Sequence, residues 1–421
     1  MAGNRSPSCR IRGLGALVAV VATACSSEPT SASDATGSSG SGDSGGSSGQ
    51  PLSGATVLGE RTEYAWLGDL WMSTWMPDDS LLSTFGDGTG LPACIPLEGG
   101  VLEPASWGAV EERPGCFAVP VPPADAEDPF HDIFCRVNDC AAACYPTCAF
   151  ADTGLVQLRG TLPDLDPCSG TDGCVVARNL PDDPGTLLEQ NDKPSSILAI
   201  DGTVVFAGHR PAGLPTRGYL ATSDDAGATW SEIEGSPWDE TTPFRVVMFI
   251  QMGRAHELDV DGYVYALAVE AEADHPEPND VYLGRVPRES VASYDAWDYL
   301  TGIDAEVPQW GVLADASPVP GLQTRNQGSA LWHDGTQRYL FLTAHDRPQI
   351  DQGGLWEAPH PWGPWTRVAD LFGDASDPAW DDGGYVPGLV PKNAGSDTVW
   401  FTLAGGHDHY TLSFGQLRLE H

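Results

Sequence analysis

The amino-acid sequence predicts an all-β fold, a five-bladed β-propeller, and three observations lead to it. Five times along the chain, two apolar β-type segments flank a short polar turn. In the second to fifth of these pairs the turn glycines Gly202, Gly262, Gly335 and Gly395 are spaced by 60, 73 and 60 residues, a size that suits one four-stranded blade per repeat. Long helical periodicity is absent, and 49 glycines with 35 prolines in 421 residues suit many tight turns.

The first segment reads as an export signal over residues 1–24. Arg5, Arg10 and Arg12 precede an apolar run from Leu14 to Ala24 that is too short to span a membrane. Ala22-Thr23-Ala24-Cys25 resembles a bacterial lipoprotein cleavage box with Cys25 as the lipidated residue, although Ala22 stands where leucine is usual and ordinary signal peptidase also fits. The Ser/Gly-rich stretch that completes residues 25–54 cannot bury a core and is expected to be a flexible tether, which favours the lipoprotein reading. The expected location is therefore the outer membrane or cell surface, or the periplasm or medium without the lipid.

Fifty-nine acidic against 21 basic residues give a formal charge of −38, which argues against nucleic acid and anionic lipid headgroups as partners. The lipid anchor is then the one expected membrane contact, and a monomer the expected state. Eight of the ten cysteines fall between Cys94 and Cys174, within a stretch (91–174) that reads as an excursion from the first blade. In an exported chain this even count suggests four disulfides of open pairing. Zinc is the competing reading for Cys135, Cys140, Cys144 and Cys148 with His131 nearby, but the paired C-x-x-C of common zinc folds is missing.

The propeller is expected over residues 55–421. In its first unit Leu70 to Met76 alternates, with Trp71, Ser73 and Trp75 on one face, and Pro77 to Ser80 forms the turn into a return strand Leu81 to Phe85. Asp69 and Asp87 then share one end of the hairpin. The second unit has strands at 196–200, 204–207, 218–222 and 230–233; the third at 245–251, 263–269, 281–286 and 297–300; the fourth at 329–332, 339–343, 355–358 and 365–368. The fifth has 386–390, 399–403 and 410–419, and its outer strand is expected from residues 56–64, which would close the ring.

Ser223 to Trp230 fits S-x-D-x-G-x-T-W, the Asp-box of sialidases and related propellers, whose job is to fold a turn between outer strands. A sialidase would also need an arginine trio and an early Phe/Tyr-Arg-Ile-Pro segment, and Phe244 to Val247 is the nearest match. Asp259-Val260-Asp261-Gly262 opens like a calcium loop but lacks the closing glutamate, so a hairpin turn is expected and no cofactor is assigned.

In a propeller the starts of first strands and the ends of second strands share one face. That rule gathers Asp69, Asp87, Asp192, Lys193, His209, Arg210, Arg245, Glu270, Arg325, Gln327, His345, Asp346, Tyr385, His407 and Asp408. Glycosidic cleavage needs two carboxyl groups at about 5 to 9 Å. The expected roles are Asp69 as nucleophile or base and Asp192 or Glu270 as proton donor, with Lys193 and Arg245 tuning charge. Trp71 would stack on a sugar ring, while Asp87, Arg210, Arg325, Gln327, His345, Tyr385 and His407 would complete the substrate-binding set. The alternative for each is that strand-end polar residues merely solvate the mouth.

The segments GDLWMSTWMPDDSLLSTFGDG, NDKPSSILAIDG, DGYVYAL, DVYLGRVPRESV, GLWEAPHPWGPW and VPGLVPKNAGSDTVWFTL resemble a family of exported bacterial five-bladed propellers. That family is similar to a domain of unknown function that includes bacterial endo-D-arabinanases. The resemblance implies that Gly68-Asp69-Leu70-Trp71 corresponds to a Gly-Asp-Asn-Trp motif, with Leu70 in place of asparagine, and that Asp192-Lys193-Pro194 fits the second blade. No glutamate stands clearly where arabinanase-type propellers keep their third-blade acid, so Glu270 is a substitute chosen by position. Two functions follow as expectations: a glycoside hydrolase cleaving a furanoside-containing or similar extracellular polysaccharide, or a non-catalytic glycan- or protein-binding propeller.

Overall fold

The computed structural model describes residues 49–88, 151–163, 165–166, 175–178, 192–210, 217–270, 278–346, 352–372, 385–394, 396–404 and 411–421. All belong to one compact unit, Ser47–His421. The export signal, residues 25–48 of the tether, all ten cysteines, His407 and Asp408 lie outside the described residues.

The fold is all-β. Ser73–Trp75, Leu81–Gly88, Ala151–Gly160 and Leu165–Asp166 form one antiparallel order, with Val175–Arg178 also paired to Ala151–Gly160. Lys193–Ile200, Thr203–Arg210, Arg217–Ser223 and Ser231–Glu232 form the next. A nine-stranded sheet follows. In it, Val246–Gln251, Tyr263–Val269, Tyr282–Pro287, Asp298–Asp304 and Val307–Gly311 run to one side, and Gly328–His333, Arg338–Asp346, Gln352–Ala358 and Thr366–Leu371 run to the other. Parallel pairing of Ile250 with Ala330 and Gln251 with Leu331 joins the two halves. Tyr385–Val390 and Thr398–Ala404 lead to Thr411–Glu420, which pairs antiparallel with Gly54–Leu67, the closure expected from the sequence.

Alternate residues of each sheet enter different apolar clusters, so the core is a set of wedges between neighbouring sheets. Leu198 and Val205 pack toward Val247 and Phe249, whereas Ile197 and Phe206 pack toward Leu82 and Leu155. Val246 and Met248 meet Ala330 and Phe341; Leu331 and Leu340 meet Leu389 and Phe401; Val390 and Phe414 meet Leu81 and Phe85. Side-chain hydrogen bonds link neighbouring strand groups across the same seams. Ala199 N donates to Thr74 Oγ1 (2.9 Å), Gln251 Nε2 to Ile197 O (2.7 Å), Ser329 Oγ to Leu389 O (3.3 Å), and Thr402 Oγ1 to Trp71 O (2.7 Å). With the parallel pair, these contacts run in a cycle from the first strand group back to itself.

Two expectations are corrected. The excursion placed at 91–174 ends earlier, because Ala151–Gly160 is a full strand beside Leu81–Gly88 that buries Leu155, Val156 and Leu158; counting cysteines alone put its end at Cys174. The first strand is also shorter than Leu70 to Met76. Leu70 has φ 54°, which breaks the extended run, and regular pairing covers only Ser73–Trp75. The strand Val307–Gly311 was not expected, because Pro308 weakens its strand pattern.

Several turns fold through their own carboxylates. Asp225 accepts hydrogen bonds from Thr229 N and Ser223 Oγ (both 2.8 Å), and Trp230 Nε1 donates to Gly227 O (2.7 Å). Asp259 Oδ1 accepts from the amides of Asp261 and Gly262 (both 3.1 Å).

Beyond Val246–Gln251 a turn, Arg254–His256, packs on Lys193–Ile200 and Ser73–Trp75. His256 is buried, with φ 62°, and neither ring nitrogen has a hydrogen-bond partner among the described residues. Burial pushes its imidazole down to about 4, against the opposing charge of Asp259. The unfolded chain therefore binds this proton more tightly, so the stabilisation is complete above about pH 6.5 and is lost as pH falls toward 4. Urea unfolding should show a stability loss of up to about 3 kcal/mol across that window. His256→Asn, which tolerates positive φ, should flatten it; an identical slope in the variant would contradict the assignment.

Candidate functional site

The polar groups that converge do so around Pro194. Asp69 forms an isolated bridge with Gly86, each amide donating to the other's carbonyl at 2.8 Å. The Asp69 carboxylate fills the space that a side chain at Gly86 would occupy, and Pro194 Cδ lies 3.4 Å from the same point. From the other side Gln327 Nε2 donates to Pro194 O at 3.0 Å. Three strand starts thus meet, carrying Asp69, Asp192 with Lys193, and Gln327, all buried.

Asp192 precedes the strand Lys193–Ile200, and its Oδ1 accepts from Arg210 Nε at 2.8 Å. The Asp192 Oδ2 atom is buried and has no hydrogen-bond partner among the described residues. Lys193 stands opposite His209 in the ladder, and Ser195 Oγ hydrogen-bonds His209 Nδ1 at 2.8 Å. Gly208 lacks a side chain where the Tyr219 ring crosses it. Burial first, and then the negative charge of Asp192, hold the Tyr219 phenol well above its ordinary range. Asp69 and Asp192 are thus both shielded, with the Arg210 cation on Asp192 and the neutral Tyr219 phenol beside that carboxylate.

The remaining expected residues are distributed differently. Trp71 is a correction: it is 1% exposed, packs against Phe85 with ring centroids 5.8 Å apart, and donates its indole N–H to Gly68 O. A sugar cannot stack on a ring enclosed in the wedge between two sheets. Arg245 is half-buried, and burial lowers its pKa against the opposing charges of Glu270 and Asp239. Glu270 is exposed beside Arg245 and Tyr282, so its charge contacts lie with those groups. Tyr385 packs on Leu70, Met72 and Val386. Arg325 lines a cavity with Trp356 and Arg367. Asp87 and His345 lie in the strands Leu81–Gly88 and Arg338–Asp346. His407 and Cys25 fall outside the described residues.

Sequence reasoning missed Ser195 and Tyr219. Ser195 stands at an irregularity of the ladder between Pro194 and Ser196, which alternation does not reveal, whereas Gly208 inside a strand was a signal of close approach.

No family model matches the chain, and no curated protein matches it. Among solved structures it is similar to a GH43_1 enzyme from Xanthomonas citri complexed with xylotriose (9% identity, 85% of this chain and 88% of that one, TM-score 0.43). It is also similar to an α-L-arabinofuranosidase from Podospora anserina (9% identity, 88% and 98% covered, TM-score 0.42). A glycosyl hydrolase from Bacteroides ovatus gives 11% identity, 84% coverage of both chains and a TM-score of 0.41. These neighbours are glycoside hydrolases; likeness at this level assigns no reaction to the present chain.

The Asp192–Arg210 pair generates a test. A buried carboxylate stripped of its cation is costly, so Arg210→Met should lower stability by about 3 kcal/mol. Adding Asp192→Asn should recover most of that loss. Equal costs for the single and double variants in urea unfolding would show that the two side chains are not coupled.

Proposed function

We propose that the five strand groups are the blades of a five-bladed β-propeller, with Ser223 to Trp230 as its single Asp-box, and that its mouth cleaves glycosidic bonds in a furanoside-containing or similar polysaccharide. The observation that carries this reading is the approach of Asp69 to Pro194, next to Asp192, with both aspartates 3% exposed. Two shielded carboxyl groups from different blades are what acid–base cleavage of an acetal requires.

We assign Asp192 to the role that works ionised, as nucleophile or base, because Arg210 gives its carboxylate a counter-charge. Proton donation falls to Asp69, with exposed Glu270 as the alternative donor. This exchanges the roles expected from sequence, which carries no sign of the ion pair. The Ser195 hydroxyl fixes His209 opposite Lys193, and Gln327 holds the Pro194 carbonyl, so the site is positioned by rigid strands. Export and anchoring through Cys25 would place the protein where such polysaccharides occur; the signal-like run and the Ser/Gly tether support that part.

The test is release of reducing ends from a panel of arabinans, xylans and fructans by the mature chain. Asp69→Asn and Asp192→Asn should each slow turnover by at least about 100-fold, with the folded fraction of each variant, read from urea unfolding, too high to account for the loss. Wild-type rates in both variants would remove the site.

A further inference from the structure

Next to the segment that leads into Gln327 lies a cavity of about 340 Å³, within the range of small-molecule pockets, and its chemistry is unlike that of the rest of the chain. Only 21 basic residues stand against 59 acidic ones, yet two arginines, Arg325 and Arg367, line this space together with the Trp356 indole, Thr324 and Gln323. The Trp356 Nε1–H is buried and has no acceptor among the described residues. A buried donor left without an acceptor costs free energy, and a side-chain shift that opens the indole to an oxygen in the cavity would relieve it. Among the described residues Asp370 is ion-paired with Arg367, and Asp280 Oδ1 accepts from Gln323 Nε2 at 2.7 Å.

The cavity is also tied to the candidate site. Arg325 is two residues from Gln327, hence within about 7 Å along the chain, and Gln327 holds the Pro194 carbonyl. Thr324 Oγ1 donates to Asn326 O at 2.6 Å and so fixes the connecting turn.

We infer that this cavity is a subsite for an anionic substituent on a sugar, a uronic carboxylate or a sulfate ester, so that the polysaccharide taken at the mouth is an acidic one. The substrate part of the inference rests on the glycoside-cleaving reading; the binding part does not. The strong net negative charge repels a polyanion at long range, so recognition works on single charged groups at contact. Arginine suits both anions because its planar donors meet two oxygens at once.

Calorimetric titration of the mature chain with D-galacturonate, D-galactose 6-sulfate and uncharged D-galactose reads binding without any cleavage. The expected result is saturable binding of at least one anionic sugar, at least tenfold tighter than galactose and weakened by added salt. Arg367→Gln should loosen it about tenfold, and Trp356→Phe, which removes the N–H and keeps the ring, severalfold. Binding of galacturonate alone assigns a uronate, and binding of the sulfate ester alone assigns a sulfated sugar. Equal affinity for galactose, no binding of either anion, or unchanged affinity in both folded variants would overturn the subsite. The two readings fail separately: cleavage of neutral polysaccharides without uronate or sulfate binding removes the subsite alone, and anion binding with no polysaccharide cleaved removes the cleavage reading alone.

Discussion

The sheets of this protein carry apolar residues on both faces, and a twisted sheet of that kind is stable only when each face is covered by another. In the strand Lys193–Ile200, Ile197 and Leu198 point into different wedges; Val246 with Val247 and Leu389 with Val390 do the same. A linear stack would leave two apolar faces in water, each costing about 25 cal/mol per Å² of exposed surface. Closing the stack on itself removes both ends. The pairing of Gly54–Leu67 with Thr411–Glu420 completes the last sheet from the opposite end of the chain, so the closure is fastened by a long antiparallel ladder.

Function enters through what closure does to strand starts. The innermost strands are short and buried on both sides, and their seams are bridged by hydroxyl and amide groups each worth about 1 kcal/mol net. Burying one leucine or phenylalanine is worth about 1.5 to 3 kcal/mol, so packing supplies the stability while these hydrogen bonds set the register between sheets. Register is what brings Asp69, Asp192 and Gln327 to Pro194 although they are remote in sequence. Polar groups sequestered at that junction retain specific partners, Arg210 on Asp192 and Ser195 on His209.

Much of this fold was legible in the chain because turns and alternation are local. Asp201-Gly202 sits at φ 50° and 88°, conformations that this residue pair adopts readily, and the flanking apolar runs became the two strands on either side of it. Closure by the N-terminal segment was legible because the fifth unit lacked an outer strand. What remained illegible depends on distant partners. Alternation placed Trp71 on a face but could not say that the face looks into a wedge beside Phe85. Nor could it show that Leu70 breaks the strand, or that Arg210 reaches back to Asp192. Glu270 was selected by strand position, yet radial position decides which groups a strand end meets, and the structure pairs its charge with Arg245.

The most direct measurement is the separation of the Asp69 and Asp192 carboxyl groups in a crystal structure of the mature chain. A distance of about 5 to 9.5 Å across one open mouth is expected, the span over which paired carboxyl groups act on a glycosidic bond. A separation well beyond that span, or the two groups at opposite ends of the inner strands, would contradict the convergence on which the functional reading stands.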